Sequence, residues 1–174
     1  MKREGFTILE AMITIFIFSL ILAAIFGIMT HGRTSFYTGS TTIELRQEMR
    51  KAIFWMKREL YQSSSLVIRG VPVDRNYYSA ITFRTPQDRD GDGDVIDSLG
   101  NIEWSDEIRY SLITRQIIRH VPNEGPSVLA NNISFLGFRR QTPKILEINI
   151  QARKRPLFGP QIEANLITRI ALRN

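Results

Sequence analysis

The stretch GFTILEAMITIFIFSLILAAIFGIM, residues 5–29, decides the architecture of this chain. From Ala11 to Met29 there is no charged side chain, and nearly every position is apolar. As a helix rising ~1.5 Å per residue, this run spans roughly 28 Å, close to the hydrocarbon thickness of a bilayer. Lys2 and Arg3 precede it. Cations retained on the cytoplasmic side would leave the C-terminal part outside. Three ordinary readings compete for such a run. A secretory signal peptide fits poorly, because Glu10 interrupts the apolar region and no small-x-small cleavage site follows. A buried core helix rarely tolerates so long an uncharged run. A simple membrane anchor remains.

Glu10 is the residue an anchor does not explain. A carboxylate at the edge of the hydrocarbon costs on the order of several kcal/mol unless it is paired. Cleavage of the peptide bond after Gly5 would give Phe6 a free α-amine about one helical turn from Glu10. The same amine on a neighbouring copy would serve equally as a counter-charge.

Gly5-Phe6-Thr7-Ile8-Leu9-Glu10, behind a short basic leader and ahead of the apolar run, resembles the class III signal of type IV pilins and type II secretion pseudopilins. The resemblance covers the first 30 residues. It implies cleavage after Gly5 by a membrane aspartic prepilin peptidase, N-methylation of Phe6, and a role for Glu10 in assembly with other pilins on an inner-membrane platform. It also implies a single-pass bacterial inner-membrane protein with its head in the periplasm, later carried in a filament. The order Ile8-Leu9 departs trivially from the commoner Leu-Ile.

Downstream, Gly27, Gly32 and Gly39 weaken helix locally, by up to ~1 kcal/mol each. A bend is expected there, with a restart at Thr41, whose spacing to Glu44 is that of a capping box. Leu45, Met49, Ile53, Met56 and Leu60 recur at three and four, giving one apolar face to about Gln62, which Trp55 would widen. Beyond Ser63 the period becomes two. Strand segments are expected at Leu66–Arg69, Ala80–Arg84, Glu107–Ile113, Gln116–Val121, Ile133–Arg139, Ile145–Ala152 and Ala164–Leu172. The third and fourth of these, Glu107–Ile113 and Gln116–Val121, form a hairpin around Thr114-Arg115. Leu146, Ile148, Ile150 and Ala152 face one way, and Glu147, Asn149 and Gln151 the other.

The expected fold is therefore α+β, a long N-terminal helix packed on an antiparallel β-sheet head. Its parts are a leader (1–5), a transmembrane and filament-core helix (6–30), an amphipathic helix (31–62) and a β-rich periplasmic head (63–174). Met49 to Gln62 and the strands from Ile133 to Ala152 resemble the J-type minor pseudopilin of type II secretion and the W-type minor pilin, relatives that imply a place at or near a filament tip.

The segment Asp88-Arg89-Asp90-Gly91-Asp92-Gly93-Asp94-Val95-Ile96-Asp97 holds five carboxylates and one arginine, about −4 in a chain of net charge +6. Calcium takes six to eight oxygens, and alternating Asp with Gly in the turn wraps such an ion. Asp88, Asp90, Asp92, Asp94 and Asp97 are the candidate Ca2+ ligands. Leu99 stands where an EF-hand loop has its last Glu, so Asp97, Glu103 or Asp106 would have to substitute. The competing reading is a solvated Asp-Gly turn.

Catalysis finds no support. The two histidines, His31 and His120, have no nucleophile or metal spacing around them, and no phosphate-binding glycine loop occurs. With no cysteine, disulfides and thiol chemistry are excluded. Lys and Arg are scattered, clustered only at Arg153-Lys154-Arg155, so nucleic acid is not the favoured partner. An adhesive or DNA-uptake role in a filament, or a plain anchored periplasmic protein, are the alternatives.

Overall fold

In the computed structural model, residues 7–173 are described. Nearly all of the described N-terminal third is one helix, α1 (Ile8–Gln62, 55 residues). Thr7 caps it, its hydroxyl accepting the backbone N–H of Glu10 at 3.3 Å. Hydroxyl groups inside a helix need partners when water is scarce. Thr14 and Thr30 donate to the carbonyls of Glu10 and Phe26, four residues back, and Ser19 to that of Phe16. The expected restart at Thr41 does not occur, since the helix is uninterrupted from Ile8 to Gln62. Gly27, Gly32 and Gly39 lie within a continuous helix, because a mild propensity cost at isolated sites does not outweigh continuous hydrogen bonding on both sides. The helix stops at Ser63, whose backbone turns extended while its N–H donates to the Leu60 carbonyl.

Two antiparallel sheets follow. The first is a meander of β1 (Ala80–Phe83), β2 (Ile108–Ile113), β3 (Gln116–Val121) and β4 (Gly125–Ala130), in that spatial order. The second is a meander of β5 (Ile133–Thr142), β6 (Ile145–Lys154) and β7 (Ile162–Ala171). The architecture is α+β, as expected. Thr114 and Arg115 take φ of 47° and 63° and close the β2–β3 hairpin, the tight turn whose twist matches its strands.

Two segments differ from their sequence reading. Leu66–Arg69 forms no strand and makes only a single bridge, Arg69 to Thr82. Conversely β4 exists although Pro126 lies in it. It occupies the edge of its sheet, where a missing N–H leaves no ladder bond unmade.

The helix stripe and the sheets bury one another. Thr41, Leu45, Met49, Ala52, Met56 and Leu60 face inward, against Phe83, Tyr110, Ile117, Phe138 and the β6 residues Leu146, Ile148 and Ile150. Ala52 lies fully inside, whereas Ile53 is half-buried. Trp55 does not widen this face. It stays 40% exposed, edge-on to Phe54 and beneath the Arg58 guanidinium.

The outer face of β6 also departs from simple alternation. Glu147 and Asn149 are buried there, because the chain from Val73 to Tyr78 runs along β5 and lays Tyr77 over the sheet. Gly137 makes room for it: a Cβ at that position would come within 2.8 Å of the Tyr77 ring and 2.7 Å of Phe135.

Candidate assembly surface

Among the described residues, nothing buries the first 22 residues of α1. Ile8, Phe16, Phe18, Phe26 and Ile28 are among a run of large apolar side chains, each 60% exposed or more. They point in every direction around the axis, so no rotation of the helix would bury them against its own head. The helix is long and apolar enough here to cross a membrane. Burial against lipid or other helices is therefore what this segment requires, at roughly 1.5–3 kcal/mol per large side chain.

Glu10 sits in the first turn of this segment, exposed, and no described side chain forms an ion pair with it. The positive end of the helix dipole favours a carboxylate in this turn. The Thr7–Glu10 spacing that sets the cap is legible in the sequence, although the assembly motif draws attention to Glu10 alone. Gly5 and Phe6, the expected cleavage and methylation positions, lie outside the described residues.

The acidic segment projects between Arg84 and Glu107 as a partly ordered excursion. Backbone pairs Gln87 to Glu103 and Glu103 to Val95 hold its two arms together. Within it, repulsion among carboxylates is offset by backbone N–H groups. Asp88 accepts from Gly91 at 2.7 Å and from Gly93 at 2.9 Å, both glycines adopting the positive φ (82° and 91°) that this wrapping requires. Asp90 accepts from the N–H of Asp92, and Asp92 from that of Asp94. Asp97 closes its own turn. The Asn101 N–H, the Asn101 amide and the N–H of Leu99 hold its carboxyl below the ordinary range.

Of the five aspartates expected to share an ion, Asp88 and Asp90 converge, and Glu103 joins them, with one oxygen from each within 4.8 Å of the others. Asp92, Asp94 and Asp97 are not part of that group. Glu103 is also the acceptor for the Arg89 N–H at 2.6 Å. Three carboxylates fall short of the six to eight oxygens calcium prefers, and carbonyls and waters would supply the rest.

The head's buried charges are structural in placement. Glu147 gathers Tyr77, Arg139, Arg169 and Gln141 on the outer side of β6. Glu59 gathers Tyr110 and Arg119 at the end of α1. His31 and His120 are exposed.

Residues 1–26 match the family model described as the prokaryotic N-terminal methylation motif. The match ends within the apolar run, so it speaks for the N-terminal signal and not for the head. No curated protein and no solved structure matches the chain. That N-terminal motif leads, through one unbroken helix from Ile8 to Gln62, into an α+β head.

Proposed function

We propose that this chain is a minor pilin or pseudopilin, a non-catalytic subunit of a type IV pilus or type II secretion pseudopilus placed at or near the tip. The observation that carries this reading is the exposure of the whole 8–29 face with Glu10 at its membrane-entry end. A lone anchor would need the apolar run but not the acid. A subunit that packs with its kind needs both, because the acid finds its counter-charge on the amine of a neighbour. The tip position rests on the likeness of residues 49–62 and 133–152 to the J-type and W-type minor proteins. Peptidase cleavage after Gly5, methylation of Phe6 and delivery through an inner-membrane platform belong to the same proposal.

The substitution Glu10→Ala tests it in cells. The variant is expected to lose its leader normally yet enter filaments or pilin complexes at a small fraction of the wild-type level. Normal incorporation of the variant contradicts the role given to Glu10.

For the acidic excursion we propose that calcium, held by Asp88, Asp90 and Glu103, orders the arms between Arg84 and Glu107. Support comes from the approach of these three carboxylates to one another within a chain that is otherwise basic. The ion would be a strut, remote in sequence and chemistry from the assembly helix.

A further inference from the structure

The turn between β6 and β7, Arg155-Pro156-Leu157-Phe158-Gly159-Pro160, folds back along α1 toward the apolar segment. Lys154, the last residue of β6, meets Glu44. Beyond it the chain reaches lower on the helix. The Phe158 ring packs on that of Tyr37 with centroids 5.4 Å apart, and Gly159 lies against Thr34 and Thr38. A Cβ at Gly159 would stand 3.0 Å from the Thr38 hydroxyl and 3.3 Å from the Thr34 methyl, and the residue holds a φ of 111°, so both space and backbone favour glycine. Thr34, Tyr37 and Thr38 are half-buried in consequence, whereas the inward stripe of the head begins only at Thr41. Among the described residues this turn is the part of the head nearest the membrane segment. From Met29 to Thr34 the helix rises only ~7.5 Å, which puts the turn at the level of a lipid headgroup layer.

Two features of the turn are foreign to an ordinary solvated loop. The first is apolar. Pro156 is buried, yet Leu157 and Phe158 stay 76% and 48% exposed, and Phe36, edge-on to Tyr37, is 71% exposed. Aromatic rings at the end of a span are what a membrane interface takes up. The second feature is charge of one sign. Neither α1 from Ala11 to Ile43 nor the segment from Arg153 to Ile162 contains an acid. Between them they carry Arg33, Arg153, Lys154 and Arg155. Glu163 engages Arg153, and Glu44 engages Lys154. Arg33 and Arg155 are exposed, and among the described residues neither makes an ion pair.

We propose that the β6–β7 turn is a second membrane contact, in which Leu157 and Phe158 enter the headgroup layer of the bilayer that α1 crosses and Arg33 and Arg155 meet the phosphate groups of its lipids. The inference rests on the reading of residues 8–29 as a membrane span and adds to it the posture of the head. A single helix leaves a head free to tilt and to turn about the helix axis. A contact beside the helix restrains both. Apolar burial and attraction to anionic lipid act together in such a contact. A bilayer is the favoured occupant, because the span already holds the turn at that level whatever else is present. The acidic excursion, which an anionic surface repels, leaves the head at the other end of the helix. Thr85 and Gln87 at its root line the cleft beside Gln62, and Gln62 is ~42 Å along the axis from Thr34.

The chain has no cysteine, so a nitroxide can be attached at one introduced thiol without background. The full-length protein, in vesicles of phosphatidylcholine with phosphatidylglycerol, carries the label at Leu157→Cys, at Phe18→Cys in the span, or at Leu99→Cys on the acidic excursion, all of them exposed positions. Collision of the label with a water-soluble nickel chelate is measured against its collision with oxygen. Position 157 is expected to be protected from the chelate about tenfold relative to position 99. Joint neutralisation, Arg33→Gln with Arg155→Gln, is expected to remove most of that protection. Equal access at 157 and 99, with 18 protected, overturns the inference and leaves the span standing. Chelate access at 18 refutes the span reading beneath it. Protection at 157 that grows with the protein-to-lipid ratio assigns the cover to a second copy, and protection indifferent to the two arginines removes the phosphate contact. Either result overturns the inference.

Discussion

Arg119 in β3 donates its Nε to Glu59 in α1 across 3.0 Å, with both side chains largely withdrawn from water. Tyr110 in β2 donates its hydroxyl to the other oxygen of the same carboxylate. One acid near the end of the helix thus fixes two strands of the first sheet. The relationship ties the helix to the head through side chains drawn from three elements.

Removal of that acid therefore has a clear outcome. Glu59→Ala leaves Arg119 with only the more exposed Glu124 and strands the Tyr110 hydroxyl inside the core. A loss of about 2–3 kcal/mol is expected in denaturant unfolding of the detergent-solubilised protein. The same site controls alkaline behaviour. Burial, and after it the charge of Glu59, push the Tyr110 hydroxyl well above its ordinary value of 10.0. A group raised on folding contributes its stability below the unfolded value and loses it as pH climbs beyond. Stability should hold up to about pH 9 and fall above about 10, and Tyr110→Phe should reduce that fall. An unchanged alkaline slope in Tyr110→Phe would contradict the coupling.

Glu147 governs the acid side. Burial alone would raise its carboxyl, but the bonds from the Tyr77 hydroxyl at 2.6 Å, Arg169 at 2.9 Å and Arg139 outweigh burial and hold it below the ordinary range. A depressed acid contributes stability above its unfolded value and loses it as pH falls through the folded one. Melting temperature should accordingly drop as pH falls below about 4.5. Glu147→Gln should cost about 2–4 kcal/mol at neutral pH, since two guanidinium groups lose their counter-charge, and should flatten the acid limb. Most of that cost comes from Arg139, because Arg169 is mainly in water. A variant with the wild-type acid profile would assign that limb elsewhere.

Calcium should act on the head through Asp88, Asp90 and Glu103. At a concentration about tenfold above its dissociation constant, an ion that binds only the folded state adds ~1.4 kcal/mol, which raises Tm by roughly 3–8 °C. Asp90→Ala is expected to abolish this gain while leaving the calcium-free Tm nearly unchanged, since Asp90 is exposed. A Tm independent of calcium up to the millimolar range removes the ion from the account.

Much of the fold is legible from residue order alone, where one physical effect dominates. The apolar run announces its helix by length, Thr114-Arg115 announces a hairpin between two periodic strands, and the alternation in β6 gives its inward face correctly. Legibility fails where two effects compete. Gly27, Gly32 and Gly39 read as interruptions, yet each costs less than the bonds around it. Pro126 argues locally against a strand, yet it is tolerated because β4 is an edge. Glu147 reads as solvated, because burial by Tyr77 comes from a segment 70 residues earlier that no local pattern reveals. At the acidic excursion, the sequence identifies the place and offers Glu103 as an outside ligand, but not which carboxylates converge. Glu103 joins Asp88 and Asp90 through strand-like pairing of the two arms, which alternation in the Asp-Gly run does not encode.

The most direct measurement is the mass and sequence of the N-terminal peptide of the protein isolated from assembled complexes. The account predicts a chain that begins at Phe6 and carries one added methyl on its α-amine, ready to meet the Glu10 carboxylate of a neighbour. Assembled, functional protein that retains residues 1–5 contradicts it.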